Sequence, residues 1–226
     1  MKTKHKALLL TLCAVLLVTA SVVGTIAFLT DTDTVKNTFT VGQVQISLDE
    51  AKVNTAGQKL NDQDEVWKTG DTYASRVTEN TYHLLPGMTY SKDPIIHVDA
   101  NSENSYIFIK VDNNGIEAIE EKDTAAHSDY KTVSAQILTN GWTWWKTEGN
   151  VHYFYQEYTK GQNDRELEVF QQFKVGDAVT NQQLNDYYTS AQENNDQAKA
   201  VIVTAYAVQK AGFDDHADAW EAASFE

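Results

Sequence analysis

Only one cysteine, Cys13, occurs in the 226 residues, and it lies in the N-terminal apolar stretch. Without a second thiol the chain closes no internal disulfide, so its stability must come from a packed core, which a chain of this length is large enough to build. Proline is nearly as scarce, with Pro86 and Pro94 alone. No Pro- or Ser-rich linker divides the sequence, and this favours one β-rich domain over two small ones. Cationic side chains are few, 18 Lys and Arg against 32 Asp and Glu. The negative surplus repels nucleic-acid phosphates and anionic lipid head groups, and neither is expected as a partner.

Catalytic signatures are missing as well. A zincin needs two histidines one helical turn apart with a glutamate between them, so that ligands and base converge. His83, His97, His127, His152 and His216 are scattered, and no pair has that spacing. There is no G-x-S-x-G elbow, and with Cys13 in the leader there is no thiol nucleophile beyond it. The expectation is a protein that is not an enzyme, with no catalytic residue and no dedicated metal site. Calcium is the one cofactor the composition leaves open. Asp31/Asp33, Asp62/Asp64/Glu65, Asp99/Glu103 and Asp214/Asp215/Asp218 offer hard oxygen ligands, but none follows the EF-hand pattern. Solvated loop charge is the better reading of all four.

What is present begins with an export signal. Lys2, Lys4 and Lys6 precede an uncharged stretch from Ala7 to Leu29. Thr25 and Ala27 are small residues at the −3 and −1 positions of a cut before Phe28. The stretch is also long enough to cross a bilayer, so an uncleaved membrane anchor is the alternative, and Val18 and Ala20 offer a second cleavage site. Cleavage at Ala27 removes three lysines and no acids, leaving 15 basic against 32 acidic residues, a formal charge of −17. Phe28 to Thr34 has no helical period and reads as an extended, solvated arm. From Gln43, Val44, Ile46 and Leu48 alternate with Gln45, Ser47 and Asp49, the signature of a half-buried strand after a bend at Gly42.

The remaining pattern is largely β. Residues 51–80 read as a long polar loop with a short strand near Val66–Trp67. Pro86-Gly87 marks a turn. Ile95–Val98 and Tyr106–Val111 read as strands, the second apolar on both faces and therefore central. Asn113–Tyr130 suggests a helical turn or two, Val133–Leu138 a strand, and Trp142–Trp145 with Val151–Tyr155 a hairpin. Leu167–Phe173 alternates again. Thr180 and Gln183 form a capping box before a helix carrying Leu184, Tyr187, Tyr188 and Ala191 on one face. Ala200–Gln209 reads as a long buried strand, and Asp214 as the cap of a terminal helix whose Trp220 packs back on the body. Many strands without βαβ alternation predict a mainly β protein built as an antiparallel sandwich with one or two short helices in connections. In the hairpin, Trp142 and Trp144 share a strand face with Tyr153 and Tyr155 opposite. That arrangement makes either a stacking platform for glycan or a part of the sandwich core, and core is the reading favoured here.

The leader and first strand also carry a resemblance. Thr25-Ile-Ala27-Phe28, Asp31 and Asn37-Thr-Phe39-Thr40-Val-Gly42-Gln-Val44-Gln-Ile46-Ser-Leu48-Asp-Glu50 resemble the TasA/camelysin-like exported proteins of Gram-positive bacteria, in particular the alternate signal-mediated exported branch. Pro86-Gly87, the Gly141-Trp142 hairpin with Tyr153-Phe154-Tyr155, Ala205–Gln209, Gly212-Phe213 and Ala219-Trp220 are similar to further blocks of that family. The resemblance decides for Ala27–Phe28, cut by a dedicated ER-type signal peptidase, with residues 1–27 as signal peptide and 28–226 as one jelly-roll-like domain. It implies a secreted protein of the extracellular matrix or cell surface, touching the membrane only through the uncleaved leader. It further implies self-association, or association with related matrix subunits, as a biofilm fibre or accessory subunit. Residues 28–40 would be the donated strand, with Phe28, Leu29, Val35 and Phe39 as its assembly residues. A cell-surface binding module for glycan or calcium is the alternative function. The intact mass of the secreted protein is expected to begin at Phe28; a chain beginning at Ser21 or Met1 would overturn this, the latter in favour of the anchor.

Overall fold

The fold is organised around one strand that is buried on both faces. In a computed structural model, which describes residues 43–113, 115–122, 131–163, 165–192 and 201–223, that strand is β4, Ser105–Asp112. Ile107, Ile109 and Val111 point into the main core, while Tyr106 and Phe108 point into a second, aromatic cluster on the opposite side. Alternation sends successive side chains to opposite faces, so the unbroken apolar run Tyr106–Ile109 is stable only between two covering layers.

Among the described residues three antiparallel sheets make the protein mainly β. The largest has the order β5-β6-β4-β9, in which β5 is Thr143–Glu148, β6 Val151–Tyr158 and β9 Ile202–Gln209. A three-stranded sheet runs β1-β3-β7, with β1 Ile46–Asp49, β3 Ile95–Val98 and β7 Glu166–Glu168. The third pairs β2, Thr89–Ser91, with β8, Gln172–Lys174. All three feed the main core, through Ile96 and Val98 of β3, Tyr90 of β2, Phe173 of β8 and Phe154 of β6. Tyr90 and Phe173 face each other across the small sheet, their rings stacked at 5.1 Å. The Tyr90 hydroxyl donates to the His83 carbonyl and accepts from the Leu85 amide, which fixes the turn at Pro86-Gly87. That turn is of type II: Gly87 has φ 76°, and the Met88 amide bonds the Leu85 carbonyl. The loop after β1 needs a glycine for a second reason. A Cβ on Gly57 would stand 2.7 Å from the Tyr90 Cα, so only glycine lets this loop lie against β2.

Among the described residues there are three helices where one or two were expected: α1 Val133–Thr139 and α2 Asn181–Gln192 in connections, and α3 His216–Ala223 after the last strand. Helix α2 opens with the expected capping box. The Gln183 amide donates to Thr180 Oγ1, the Thr180 amide donates to Gln183 Oε1, and Leu184 and Tyr187 are buried. Residues 116–118 form one 3₁₀ turn in the segment read as weakly helical. Residues 51–80 are a loop tied by isolated bridges, one of them Leu60 with Val66.

The structure corrects several sequence expectations. Val133–Leu138 is a helix and not a strand. Thr132 Oγ1 accepts the Ala135 amide, Glu120 Oε1 accepts the Val133 amide, and the buried residues are Val133 and Ile137, four apart, while Leu138 is exposed. Leu167–Phe173 is two strands. Val169 and Phe170 are consecutive and both fully buried, which breaks the period of two where the chain passes from β7 to β8. The cap of α3 is Asp215 and not Asp214: its Oδ1 accepts the amides of Ala217 at 2.8 Å and Asp218 at 3.0 Å. The segment expected as a long buried strand at 200–209 is a strand, β9, but it lies at the edge of its sheet, half-buried and with Ile202 exposed. β3 and β4 are strands, β4 is central between β6 and β9, and Trp220 packs back on the body against Phe108 at 5.1 Å.

The phase of α1 gives a direct test. Ile137→Ala is expected to cost about 2–5 kcal/mol in a denaturant titration, because it opens a cavity in the main core. Leu138→Ala is expected to stay within about 0.5 kcal/mol of the wild type.

Candidate functional site

Among the described residues, β5 and β9 end the largest sheet, β1 and β7 the three-stranded one, and β2 and β8 the smallest; β1 and β9 are edges that approach each other, and the pairing phase identifies which of their residues face outward. In β9 the Lys210 amide donates to the Asn104 carbonyl, continuing the β4–β9 register. Even-numbered residues of β9 therefore bond to β4, and Val203, Ala205, Ala207 and Gln209 turn their N–H and C=O groups to the outer edge. In β1 the Asp99 amide donates to the Gln45 carbonyl, so Gln45, Ser47 and Asp49 face β3 while Ile46, Leu48 and Glu50 face outward. Among the described residues no backbone hydrogen bond joins β1 to β9. The two strands nevertheless come within 8 Å of each other, and Ile46, Leu48, Val203, Ala205 and Ala207 all pack on the main core. A groove of about 530 Å³ opens between residues 48–50 at the end of β1 and residues 201–203 at the start of β9.

A strap made of residues 76–80 closes one end of the β1 edge. Glu50 and Val77 exchange both backbone bonds at 2.8 Å. Asn80 donates to Glu50 Oε1, and Lys92 reaches Glu50 Oε2 at 2.7 Å. Arg76 pairs through Nε with Asp49 and donates from Nη2 to the Asp93 carbonyl. Asp93 is buried; it accepts the Ala51 amide and the Lys59 ammonium. His97 stands on the other side of Asp49 at 3.0 Å, with Glu166 3.6 Å beyond. Burial raises the Asp49 carboxyl, but hydrogen bonds and charge from Arg76 and His97 outweigh it and hold the group below its ordinary value. Burial, with Glu50 and Asp93 nearby, pushes the Tyr82 phenol far up, so it remains a neutral donor to the Ser91 carbonyl. Sequence reading missed this lattice. Its only signal was Arg76, one of two arginines in a lysine-rich chain, since a planar guanidinium suits a fixed carboxylate-and-carbonyl cradle better than lysine does.

The residues singled out from sequence fall as follows. Ala27 and Phe28 of the cleavage site and Phe28, Leu29, Val35 and Phe39 of the arm lie outside the described residues. The four hairpin aromatics do not converge. Trp142 is buried in the main core and donates its indole N–H to the Glu168 carbonyl. Trp144 is 54 % exposed. Tyr153 and Tyr155 turn to the opposite face, where Tyr155 stacks on His216 at 3.8 Å and Tyr153 meets Trp145 and Trp220. A β-bulge explains the discrepancy. Trp144 pairs with Phe154 and Lys146 with Tyr153, so Trp145 is an extra residue that shifts the side-chain phase.

The acidic groups are engaged locally. Asp64 pairs with Lys52, Asp99 accepts the Asn101 amide, Glu103 pairs with Lys160, and Asp215 caps α3. Asp31 and Asp33 lie outside the described residues, as does His127. Among the described residues no three His, Cys, Asp or Glu side chains gather as a metal site, and no helix is long and apolar enough to cross a membrane. The chain matches no family model, no curated protein and no solved structure.

The lattice has a pH signature. Asp49 lies below its ordinary value of 3.8 in the folded state, so its contribution is complete above that value and is lost as pH falls through the lower folded one. Asp49→Asn is expected to destabilise by about 1–3 kcal/mol at pH 7. The gap between variant and wild type should narrow as pH falls below 3.8, as read by thermal melts across the acid range.

Proposed function

We propose that this chain is a secreted structural protein of the cell surface or extracellular matrix, a fibre subunit or an accessory one, that associates by adding the N-terminal arm of one copy to a sheet edge of the next. The observation that carries this reading is the pair of neighbouring edges, β1 and β9, bordering an open groove above the main core. An unpaired edge is a template for another strand, and addition satisfies the backbone groups of both partners. The resemblance of Thr25–Glu50 to the TasA/camelysin-like leader supports the same reading. In it the sheets correspond to a distorted jelly-roll-like sandwich, and a dedicated signal peptidase frees Phe28.

The arm suits the task chemically. Phe28–Val35 contains no proline, so each of its amides is able to join a ladder. Its apolar residues, Phe28, Leu29 and Val35, contribute roughly 1.5–3 kcal/mol each if fully buried. Two strand spacings need about 9.6 Å, so full insertion between β1 and β9 widens the gap where they approach, whereas addition to the β9 edge alone does not. Charge opposes both. Asp31 and Asp33 would meet a groove lined by Asp49, Glu50 and Glu79 with only Lys92 among them. The protein is therefore monomeric at neutral pH and low salt, and acid, divalent ions or high concentration favour assembly.

Two comparisons test this by light scattering and electron microscopy under acidic and calcium conditions. Protein starting at Phe28 is expected to form filaments, and protein starting at Asn37 is not. Ala205→Pro removes an outward amide while leaving the bonds to β4 in place, so it should abolish filaments with the melting transition retained. Identical filaments from all three proteins, or none from any under any condition, would end the strand-addition reading. A binding module presenting Trp144 would then take its place.

A further inference from the structure

The aromatic cluster beneath α3 holds an arrangement that neither assembly nor core packing requires. Because of the bulge at Trp145, Trp145 and Lys146 do not alternate, and both reach the face covered by α3. The Lys146 ammonium lies 4.7 Å from the ring centroids of Trp145 and Tyr153 and 5.9 Å from that of Trp220. The three rings stand nearly perpendicular to one another, at 82°, 84° and 72°. They turn electron-rich faces toward one point, which is how a protein holds a cation without hydrogen-bond acceptors. Glu148 completes the site from the solvent side, with Oε1 2.7 Å from Lys146 and Oε2 accepting the Tyr153 hydroxyl.

We propose that the Trp145–Tyr153–Trp220 platform is a binding site for quaternary ammonium groups, with Lys146 as its resident and displaceable cation. The Lys146 ammonium already lies among the three ring faces, and its tether is weak. The Lys146 and Glu148 side chains are 34 % and 57 % exposed, and an exposed pair of this kind contributes little. Lys146 can therefore turn into water at small cost on its flexible four-carbon stem. A methylated ammonium suits the vacated point better than a primary one. It has no N–H to satisfy, sheds water easily, and meets three π faces on one side and a carboxylate on the other. The site sits on the face of β5-β6-β4-β9 opposite the main core, so it is independent of arm addition at the outer edge of β9.

The test is a titration of the secreted protein with tetramethylammonium chloride and with choline chloride, against sodium chloride at matched ionic strength, following the indole N–H resonances of Trp145 and Trp220. Lys146→Ala is expected to show saturable shifts with half-saturation about tenfold below that of the wild type. Tyr153→Leu in the Lys146→Ala background is expected to weaken binding several-fold. If the alanine variant loses its melting transition, Lys146→Gln, which keeps the side-chain length, replaces it. The proposal is overturned if sodium chloride reproduces the shifts, if half-saturation is equal with and without Lys146, or if Tyr153→Leu changes nothing.

Discussion

Burial of β4 on both faces is the constraint from which the rest of the architecture follows. A strand whose Tyr106, Ile107, Phe108 and Ile109 are all within a few per cent of full burial must be flanked, roofed and floored. Its flanks are β6 and β9, which take up its backbone groups on either side. Its floor is the main core, shared with the β1-β3-β7 and β2-β8 sheets. Its roof is α3, too short to hold a helical conformation alone and dependent on the Asp215 cap and on Trp220 lying over Phe108. Each covering layer is small, and for that reason the sheets are short and the edges of β1 and β9 are left without described partners.

The charged lattice around Asp49 and Asp93 answers a different need. Where residues 76–80 cross the end of β1 there is little apolar side chain to hold them, and Val77 alone joins the ladder. Arg76 compensates by meeting Asp49 and the Asp93 carbonyl at once, and Asn80 ties the same strap to Glu50 and the Ala51 carbonyl. A buried carboxylate such as Asp93 is tolerable only with its oxygens occupied, which here means the Ala51 amide and the Lys59 ammonium. The outcome is a polar clamp whose members come from four separate stretches of sequence.

That separation marks the limit of what the sequence makes legible. Features written in neighbouring residues were readable: the alternation in β3 and β4, the Thr180–Gln183 box, the Pro86-Gly87 turn and the hairpin. Features decided by distant partners were not. Val133–Leu138 fits period two at Val133, Ala135 and Ile137 and fits a helix at Val133 and Ile137, and only the Thr132 and Glu120 caps break the tie. Trp142 and Trp144 share a face in an ideal strand, but Trp142 lies before β5 and a bulge follows Trp144, so the aromatic faces sort differently. The lattice could not be read because nothing in the spacing of Asp49, Arg76 and Asp93 says that they meet.

Edges left open in a protein are normally guarded, and how these two are guarded bears on when they would be used. β9 carries no charged residue between Ile202 and Gln209, and its outward amides belong to Val203, Ala205 and Ala207, a sequence with nothing to deter another strand. The deterrent sits nearby. Asp49, Glu50 and Glu79 surround the groove at the start of β9, and the strap covers the outward groups of Glu50. A guard made of carboxylates differs from one made of proline or lysine because its charge falls with pH, and protonating Asp49 also weakens its hold on Arg76 and so on the strap. Lys92, the one cation that lines the groove, would then be opposed by fewer negative charges. On the strand-addition reading proposed above, charge of this sign at this place would oppose an acidic arm in dilute neutral solution and would oppose it less as the carboxylates are protonated.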